Sequence, residues 1–206
     1  SRRMLWKVKG GDRALGEARF LLRHMLGDVD RAIAKVPEGI RGDPGLVYER
    51  LRWRRRKGRD KSAFELLEGA PETPAYLEKW WTERVILARR ALDKGLVTTA
   101  YRLAREHGLE KGAEFSEAEW FAGWIALTFL GDEEVAIGHF TAMFRAVKYP
   151  LSRARGAYWI ARAAAASGKA ELAELWYRVA AGYPIAFYGQ LAAANLESET
   201  VLKLPP

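Results

Sequence analysis

Five glycines recur along the chain at intervals of 31, 37, 36 and 37 residues, and each has an alanine five positions downstream. The pairs are Gly27 and Ala32, Gly58 and Ala63, Gly95 and Ala100, Gly131 and Ala136, and Gly168 and Ala173. A period in this range is typical of stacked helical hairpins, in which each unit covers its neighbour's apolar face. Glycine tolerates the left-handed backbone at a helix C-terminus, and alanine lets the paired helices approach closely. The uncharged residues nine positions after the glycines, able to pack inward, are Val36, Leu67, Ala104, Phe140 and Tyr177.

Apolar periodicity and helix-breaking residues predict five helical hairpins followed by one more helix. The predicted pairs are 12–25 with 28–36, 45–57 with 60–68, 75–93 with 96–107, 116–130 with 132–147, and 152–167 with 170–181. The final helix is predicted over 184–196, and residues 197–206 form a linker. Ser116 and Glu119 have the spacing of a capping box. We expect an all-α fold, a right-handed superhelix of stacked hairpins of the tetratricopeptide type, forming a single domain over residues 1–206.

Composition excludes several classes of chemistry. The chain has no cysteine, which removes disulfides, thiol catalysis and thiolate metal sites. Its three histidines, His24, His107 and His139, lie in separate repeats without a metal-ligand spacing, so we expect neither a metal nor a cofactor. The longest apolar run, 120–131, is shorter than the roughly 20 residues that span a bilayer, so no transmembrane segment is predicted. The formal charge of +8 favours acidic partners such as peptidoglycan, nucleic acid or anionic lipid.

Two segments carry residues suited to binding. Arg50 to Lys61 holds eight basic residues in twelve, which predicts either a polyanion-binding ridge or a solvated helix face offset by nearby acids. The residues that would share one side of that ridge are Arg52, Arg55 and Arg56, with Trp53 either stacking on a ligand or lying in the core.

The second segment is a helix on which Arg155, Trp159 and Arg162 share a face. Arg162 is suited to bidentate carboxylate binding, and Trp159 offers a flat apolar surface beside it. This pairing suits a sugar with acidic substituents. The alternative is that Arg162 bridges to Glu171 or Glu174 while Trp159 packs between repeats.

Three stretches near the end of the chain resemble one known family. They read Ser152-Arg-Ala-Arg-Gly-Ala-Tyr-Trp-Ile-Ala-Arg-Ala, Trp176-Tyr-Arg-Val-Ala-Ala-Gly-Tyr-Pro and Ala186-Phe-Tyr-Gly-Gln-Leu-Ala. Together they closely resemble the soluble lytic murein transglycosylases. The stretch that begins at Glu119, with His139-Phe140 in the following helix, also resembles that family. Less distinctive similarities begin at Tyr48 and Trp80, so that the resemblance spans roughly 43–196. The block from Phe187 to Leu191 is its most specific part.

This resemblance implies the α-superhelical, ring-forming region of a periplasmic enzyme that cleaves peptidoglycan glycan strands. In that family the cleavage is non-hydrolytic. One glutamate acts first as acid and then as base, and the product ends in 1,6-anhydro-N-acetylmuramic acid. The family places this chemistry in a separate lysozyme-like domain that follows the helix containing Tyr-Gly-Gln.

The sequence departs from the family where that catalytic domain would begin. The family's Glu-Ser-x-Phe motif is matched only by Glu197-Ser198-Glu199-Thr200, and the Gly-Leu-Met-Gln and Ala-Tyr-Asn-Ala-Gly motifs do not occur before Pro206. A general acid needs a shaped, partly desolvated pocket to keep a raised pKa. We therefore expect Glu197-Ser198 to be a chance match and this chain to contain no catalytic residue.

The leading hypothesis is a non-catalytic scaffold that positions glycan strands and docks the C-terminal catalytic domain of the same parent chain. The residues expected to form the binding or docking surface are Arg155, Tyr158, Trp159, Arg162, Tyr188 and Gln190. The resemblance also implies a periplasmic location, although the sequence shows no signal peptide. Two other hypotheses remain: an independent repeat adaptor that binds a protein partner, and nucleic-acid binding through residues 50–61, which we do not expect.

Overall fold

The computed structural model describes residues 9–68 and 77–201, with side chains described up to Glu197. Within these ranges the chain forms eleven α-helices and no strand, which confirms the predicted all-α class. The helices are α1 Gly10–Arg23, α2 Val29–Ala34, α3 Pro44–Arg56, α4 Asp60–Glu68, α5 Leu77–Asp93, α6 Val97–Arg105, α7 Ala113–Ile125, α8 Glu133–Ala146, α9 Pro150–Ala166, α10 Ala170–Ala181 and α11 Phe187–Val201. A 3₁₀ turn covers Glu38–Ile40, and a π-helical turn covers Ala126–Leu130 after α7. No described helix is both long enough and apolar enough to cross a bilayer.

Contacts group the chain into two compact units, Ser1–Leu87 and Ala88–Pro206, which meet within α5. In the first unit α1 packs against α2 and α3, and α3 packs against α4. The core of this unit is formed by Ala18, Leu22, Val29, Ala32, Val36, Leu46 and Trp53. The single domain expected over residues 1–206 stays a prediction.

In the second unit every helix from α6 to α11 packs against the next one in the chain, and α11 also packs against α9. Because short loops join these helices, consecutive helices run antiparallel. Two clusters of buried side chains fill the space between them. One is centred on Tyr158 and Tyr177 between α9 and α10, and the other on Phe140 and Ile160 between α8 and α9.

The repeat positions behave as the sequence predicts, with one exception. All five alanines are buried, and so are the five residues nine positions after the glycines. Gly58, Gly95, Gly131 and Gly168 have φ between 63° and 75°, in the left-handed region. Gly27 does not, so the prediction is wrong for the first hairpin. There α1 already ends at Arg23, and the positive φ angles fall on Met25 (58°) and Asp28 (57°) instead.

Several predicted helix ends are displaced. The capping box is wrong, because α7 begins at Ala113, one turn earlier, and Ser116 lies inside the helix with its hydroxyl donating to Gly112 O at 3.1 Å. The last helix, α11, starts at Phe187 and continues to Val201, whereas the sequence predicts 184–196 followed by a linker. Residues 75–76 of the predicted third hairpin and 202–206 of the predicted linker lie outside the described residues.

Three glycines let helices of the second unit approach closely. A Cβ on Gly123 would lie 2.8 Å from Phe140 Cε1, and one on Gly156 would lie 3.2 Å from Phe144 Cα. The tightest case is Gly189, where a Cβ would overlap the carbonyl oxygen of Tyr183. Gly156 and Gly189 belong to the segments that carry the family resemblance, so part of that resemblance reflects helix contact.

Candidate functional site

A group of half-buried tryptophans lies on the facing sides of α7 and α9. The rings of Trp120 and Trp124, one helical turn apart, are stacked with their centroids 6.1 Å apart and their planes 12° from parallel. Trp159 on α9 meets Trp120 edge-on at 5.9 Å. Both Trp120 and Trp159 also pack on the cluster around Phe140, which holds these rings in place.

Arg155 joins this group from the preceding turn of α9. Its guanidinium carbon lies 3.8 Å from the centre of the Trp120 ring, at cation–π distance. The same guanidinium donates to Glu117 Oε1 at 2.8 Å, so one carboxylate on α7 and one ring fix its position. We call Trp120, Trp124, Arg155 and Trp159 the tryptophan surface.

The indole N–H groups of Trp120 and Trp159 are shielded from solvent and have no hydrogen-bond partner in the part of the chain that the structure describes. The accessible part of these half-buried rings is therefore carbon. A carbon surface beside a fixed cation is suited to apolar contact with the C–H groups of an anionic ligand. Because Arg155 already covers one face of the Trp120 ring, the arrangement favours contact with the remaining ring carbon over hydrogen bonding from the indoles.

The second group of predicted residues lies around Tyr158. Arg162 Nη1 donates to Tyr158 Oη at 3.1 Å, and this hydrogen bond raises the pKa of Arg162. The Tyr158 ring lies 5.3 Å from Tyr188 on α11 and 5.9 Å from Trp159. Trp159 therefore contacts both groups, and five of the six predicted residues form one connected set.

Two details differ from the sequence-based expectations. Glu174 is bound by Arg178 at 2.6 Å, and the guanidinium of Arg162 is exposed, so the alternative bridge from Arg162 to Glu171 or Glu174 is wrong. Gln190 points away from the tyrosines, since its amide donates to Pro184 O at 3.1 Å. That bond fixes the loop before α11, so Gln190 is a supporting residue of this loop in the structure.

Sequence reasoning missed a polar network behind the tryptophan surface. Glu119 Oε1 lies 3.1 Å from His107 Nε2, and its Oε2 lies 2.6 Å from His139 Nδ1. His139 Nε2 lies 3.0 Å from Tyr101 Oη, and His107 Nδ1 accepts from the Leu109 backbone N–H at 2.9 Å. With both histidines neutral, each has one N–H for Glu119 and one acceptor for its other neighbour.

The network sets the ionisation of its carboxylate. Burial alone would raise the pKa of Glu119, but the hydrogen bonds from His107 and His139 outweigh burial and lower it to about 2. Burial raises the pKa of Tyr101 at the other end of the network. No group of three or more histidine or carboxylate side chains among the described residues is arranged to hold a metal ion. Glu119 is thus an ionised carboxylate that joins α7 to α8 and to the loop after α6.

The basic segment of the first unit is largely engaged within its own unit. Glu49 is buried and lies 2.8 Å from Arg23 and 3.8 Å from Arg52. Both nitrogens of the Arg55 fork bind Glu83, which is also buried. Trp53 lies in the core. The predicted ridge is therefore wrong for Arg55, which packs inward. Four other basic residues of the segment are exposed, Arg56, Lys57, Arg59 and Lys61.

Comparison with known proteins adds nothing to this picture, because no family model, no curated protein and no solved structure matches the chain. The resemblance to soluble lytic transglycosylases stays a prediction from the quoted residues.

Proposed function

We propose that this chain is the non-catalytic helical region of a periplasmic soluble lytic transglycosylase, where it positions peptidoglycan glycan strands. The observation that carries the proposal is the tryptophan surface, in which Arg155 is held 3.8 Å over Trp120 with Trp159 beside it. Sugar rings of a glycan strand have flat C–H faces that stack on aromatic carbon. Muramic acid and its peptides add carboxylates that arginine binds.

Tyr158 is only 6% exposed and lies beneath this surface, where it supports Arg162 and the half-buried Tyr188 of α11. Arg162 lies on the same helix as Arg155, two turns further on, and its guanidinium is exposed beside Tyr158. Arg162 forms no ion pair with a described residue, whereas Arg155 is paired with Glu117, so a ligand carboxylate would have to compete with Glu117 for Arg155. The excess of basic over acidic residues gives the chain a net charge of +8, which also attracts anionic ligands at long range.

Glu119 supports a non-catalytic role. A general acid for glycan cleavage needs a pKa raised toward neutral pH, so that it holds a proton to give. The pKa of Glu119 is lowered to about 2, so this carboxylate is ionised at neutral pH. We assign it to holding helices together. The parent protein's lyase chemistry would belong to its C-terminal catalytic domain, which Tyr188 on α11 would help to dock.

We further propose that the hairpins stack into a right-handed superhelix of the tetratricopeptide type. One pair of alternate helices packs together in each unit, α1 with α3 and α9 with α11, which is a contact that repeats of this type also make. The buried alanines of the five repeats support the same arrangement. Such an array offers one extended surface made from successive repeats, along which a strand can lie.

Retention on purified peptidoglycan sacculi tests the proposal. We compare the wild type with Arg155→Gln and Arg162→Gln, and use Arg31→Gln on exposed α2 as a charge-matched control. Loss of one charge-assisted hydrogen bond, about 1.5 kcal/mol or more, predicts about tenfold weaker retention for each surface variant and little change for the control.

Two results would contradict the proposal. Equal retention of all four proteins would show that Arg155 and Arg162 do not bind peptidoglycan. Clearing in a peptidoglycan zymogram by this chain alone would show that it cleaves peptidoglycan itself, which contradicts a non-catalytic role.

A further inference from the structure

Four large apolar side chains are strongly exposed near one end of the second unit. Their exposed fractions are 79% for Tyr149, 63% for Leu151, 83% for Ile185 and 66% for Phe187. Tyr149 and Leu151 stand at the start of α9, and Ile185 and Phe187 stand where α10 gives way to α11. Large apolar side chains exposed together in this way mark an interaction surface more often than single ones do.

Helix direction and one hydrogen-bonding side chain bring the four together. Because α8 to α11 run antiparallel in sequence, the α8–α9 and α10–α11 loops lie at the same end of the unit. Arg153 links the two loops directly. Its Nε donates to Tyr183 Oη at 3.1 Å, and its Nη1 donates to Val147 O at 3.4 Å. We call Tyr149, Leu151, Ile185 and Phe187 the apolar end.

The charges around the apolar end are positive. Arg145 and Lys148 precede it on the α8 side, are exposed, and form no ion pair with any described residue. On the α10 side Arg178 is paired with Glu174 at 2.6 Å, so the unpaired positive charge comes from Arg145 and Lys148. The sequence has no acidic residue over 135–170 or over 175–196.

We propose that the apolar end and its basic neighbours dock the protein on an anionic lipid bilayer. Tyrosine and phenylalanine favour the headgroup region, and aliphatic tips such as Ile185 and Leu151 enter the acyl boundary. Lysine and arginine nearby are attracted by the negative surface potential of anionic lipids. A nucleic acid would use stacking rings and would leave Ile185 and Leu151 without a role. A lipid surface accounts for both the aliphatic and the basic residues.

Co-sedimentation with vesicles tests this docking. One set of vesicles contains phosphatidylcholine alone, and the other contains equal parts of phosphatidylcholine and phosphatidylglycerol. We expect the wild type to sediment with the anionic vesicles at low salt and to be released as salt rises. Arg145→Gln/Lys148→Gln should bind about 25-fold more weakly, since each basic residue near the surface contributes about fivefold. Ile185→Ser/Phe187→Ser should also lose binding to the anionic vesicles, because it removes the side chains that enter the acyl boundary.

Matched controls separate the surface from total charge and hydrophobicity. Arg31→Gln/Lys35→Gln removes two exposed charges from α2, and Leu175→Ser removes an exposed apolar side chain from α10, 56% exposed. Both controls should bind vesicles like the wild type. The proposal is overturned if the wild type does not sediment with anionic vesicles, or if the controls lose as much binding as the surface variants. It is also overturned if the surface variants lose only retention on sacculi, because the surface would then bind peptidoglycan.

Discussion

His139 Nδ1 lies 2.6 Å from Glu119 Oε2, a short hydrogen bond between α8 and α7. The other oxygen of the same carboxylate is hydrogen-bonded to His107 Nε2, in the loop after α6. One side chain, only 13% exposed, therefore holds three consecutive parts of the second unit. Because Glu119 directly precedes Trp120 on α7, the network also holds the turn of α7 that carries Trp120.

Glu119→Gln should destabilise the second unit. The neutral amide keeps the shape but accepts from only one histidine, and its NH₂ group faces the N–H of the other. Leaving a buried hydrogen-bond donor unsatisfied costs about 1–3 kcal/mol. Urea unfolding should show this loss. The matched variant Glu110→Gln, which changes an exposed carboxylate, should stay within about 0.5 kcal/mol of the wild type. Equal stability of the two variants would mean that the network contributes nothing.

The same carboxylate predicts a pH dependence with a definite sign. The pKa of Glu119 is lowered from 4.5 to about 2 in the folded chain, so the folded state favours the ionised form. Its contribution is fully present above pH 4.5 and is lost as the pH falls toward 2, with a total of about 3 kcal/mol. The difference in unfolding free energy between the wild type and Glu119→Gln should therefore shrink between pH 5 and pH 3. A constant difference over this range would contradict the assigned pKa.

The helical repeat could be predicted from sequence because its signal is local. Each glycine, the alanine five residues later and the residue nine later lie in one turn and the helix that follows it. Burial of Ala100 and Ala104, for example, follows from their spacing on α6 alone. The all-α class depends on the same short-range patterns.

The Glu119 network could not be predicted because it joins residues 12 and 20 positions apart that share no local pattern. The sequence shows His107 and His139 only as isolated histidines in different repeats. Capture of Glu119 by two histidines also explains why the predicted capping box fails, since the carboxylate that would cap Ser116 is bound elsewhere. Similarly, the sequence does not show that Trp120 lies beside Arg155 and Trp159, because these contacts join α7 to α9.

Gly189→Ala should destabilise α11 despite alanine's better helix propensity. The methyl group would overlap the Tyr183 carbonyl, so α11 must move away from the end of α10. Overpacking of this kind costs about 1–3 kcal/mol. Gly138→Ala is the matched control, because Gly138 lies within α8 with no atom within 4 Å of the added carbon. That variant should gain up to about 1 kcal/mol. Thermal unfolding of both should show shifts of opposite sign, and a gain for Gly189→Ala would contradict the close approach.

The first hairpin should respond differently from the others to loss of its glycine. Gly168 has φ of 75° with open space around the position of its absent Cβ, so Gly168→Ala adds backbone strain alone. An L-residue in the left-handed region costs about 1–2 kcal/mol. Gly27 is equally open but does not have a positive φ, so Gly27→Ala should leave stability unchanged or slightly raised. Chemical unfolding of the two single variants measures this contrast. An equal loss in both would mean that Gly27 reverses the chain as the sequence repeat predicts, and that Met25 and Asp28 do not.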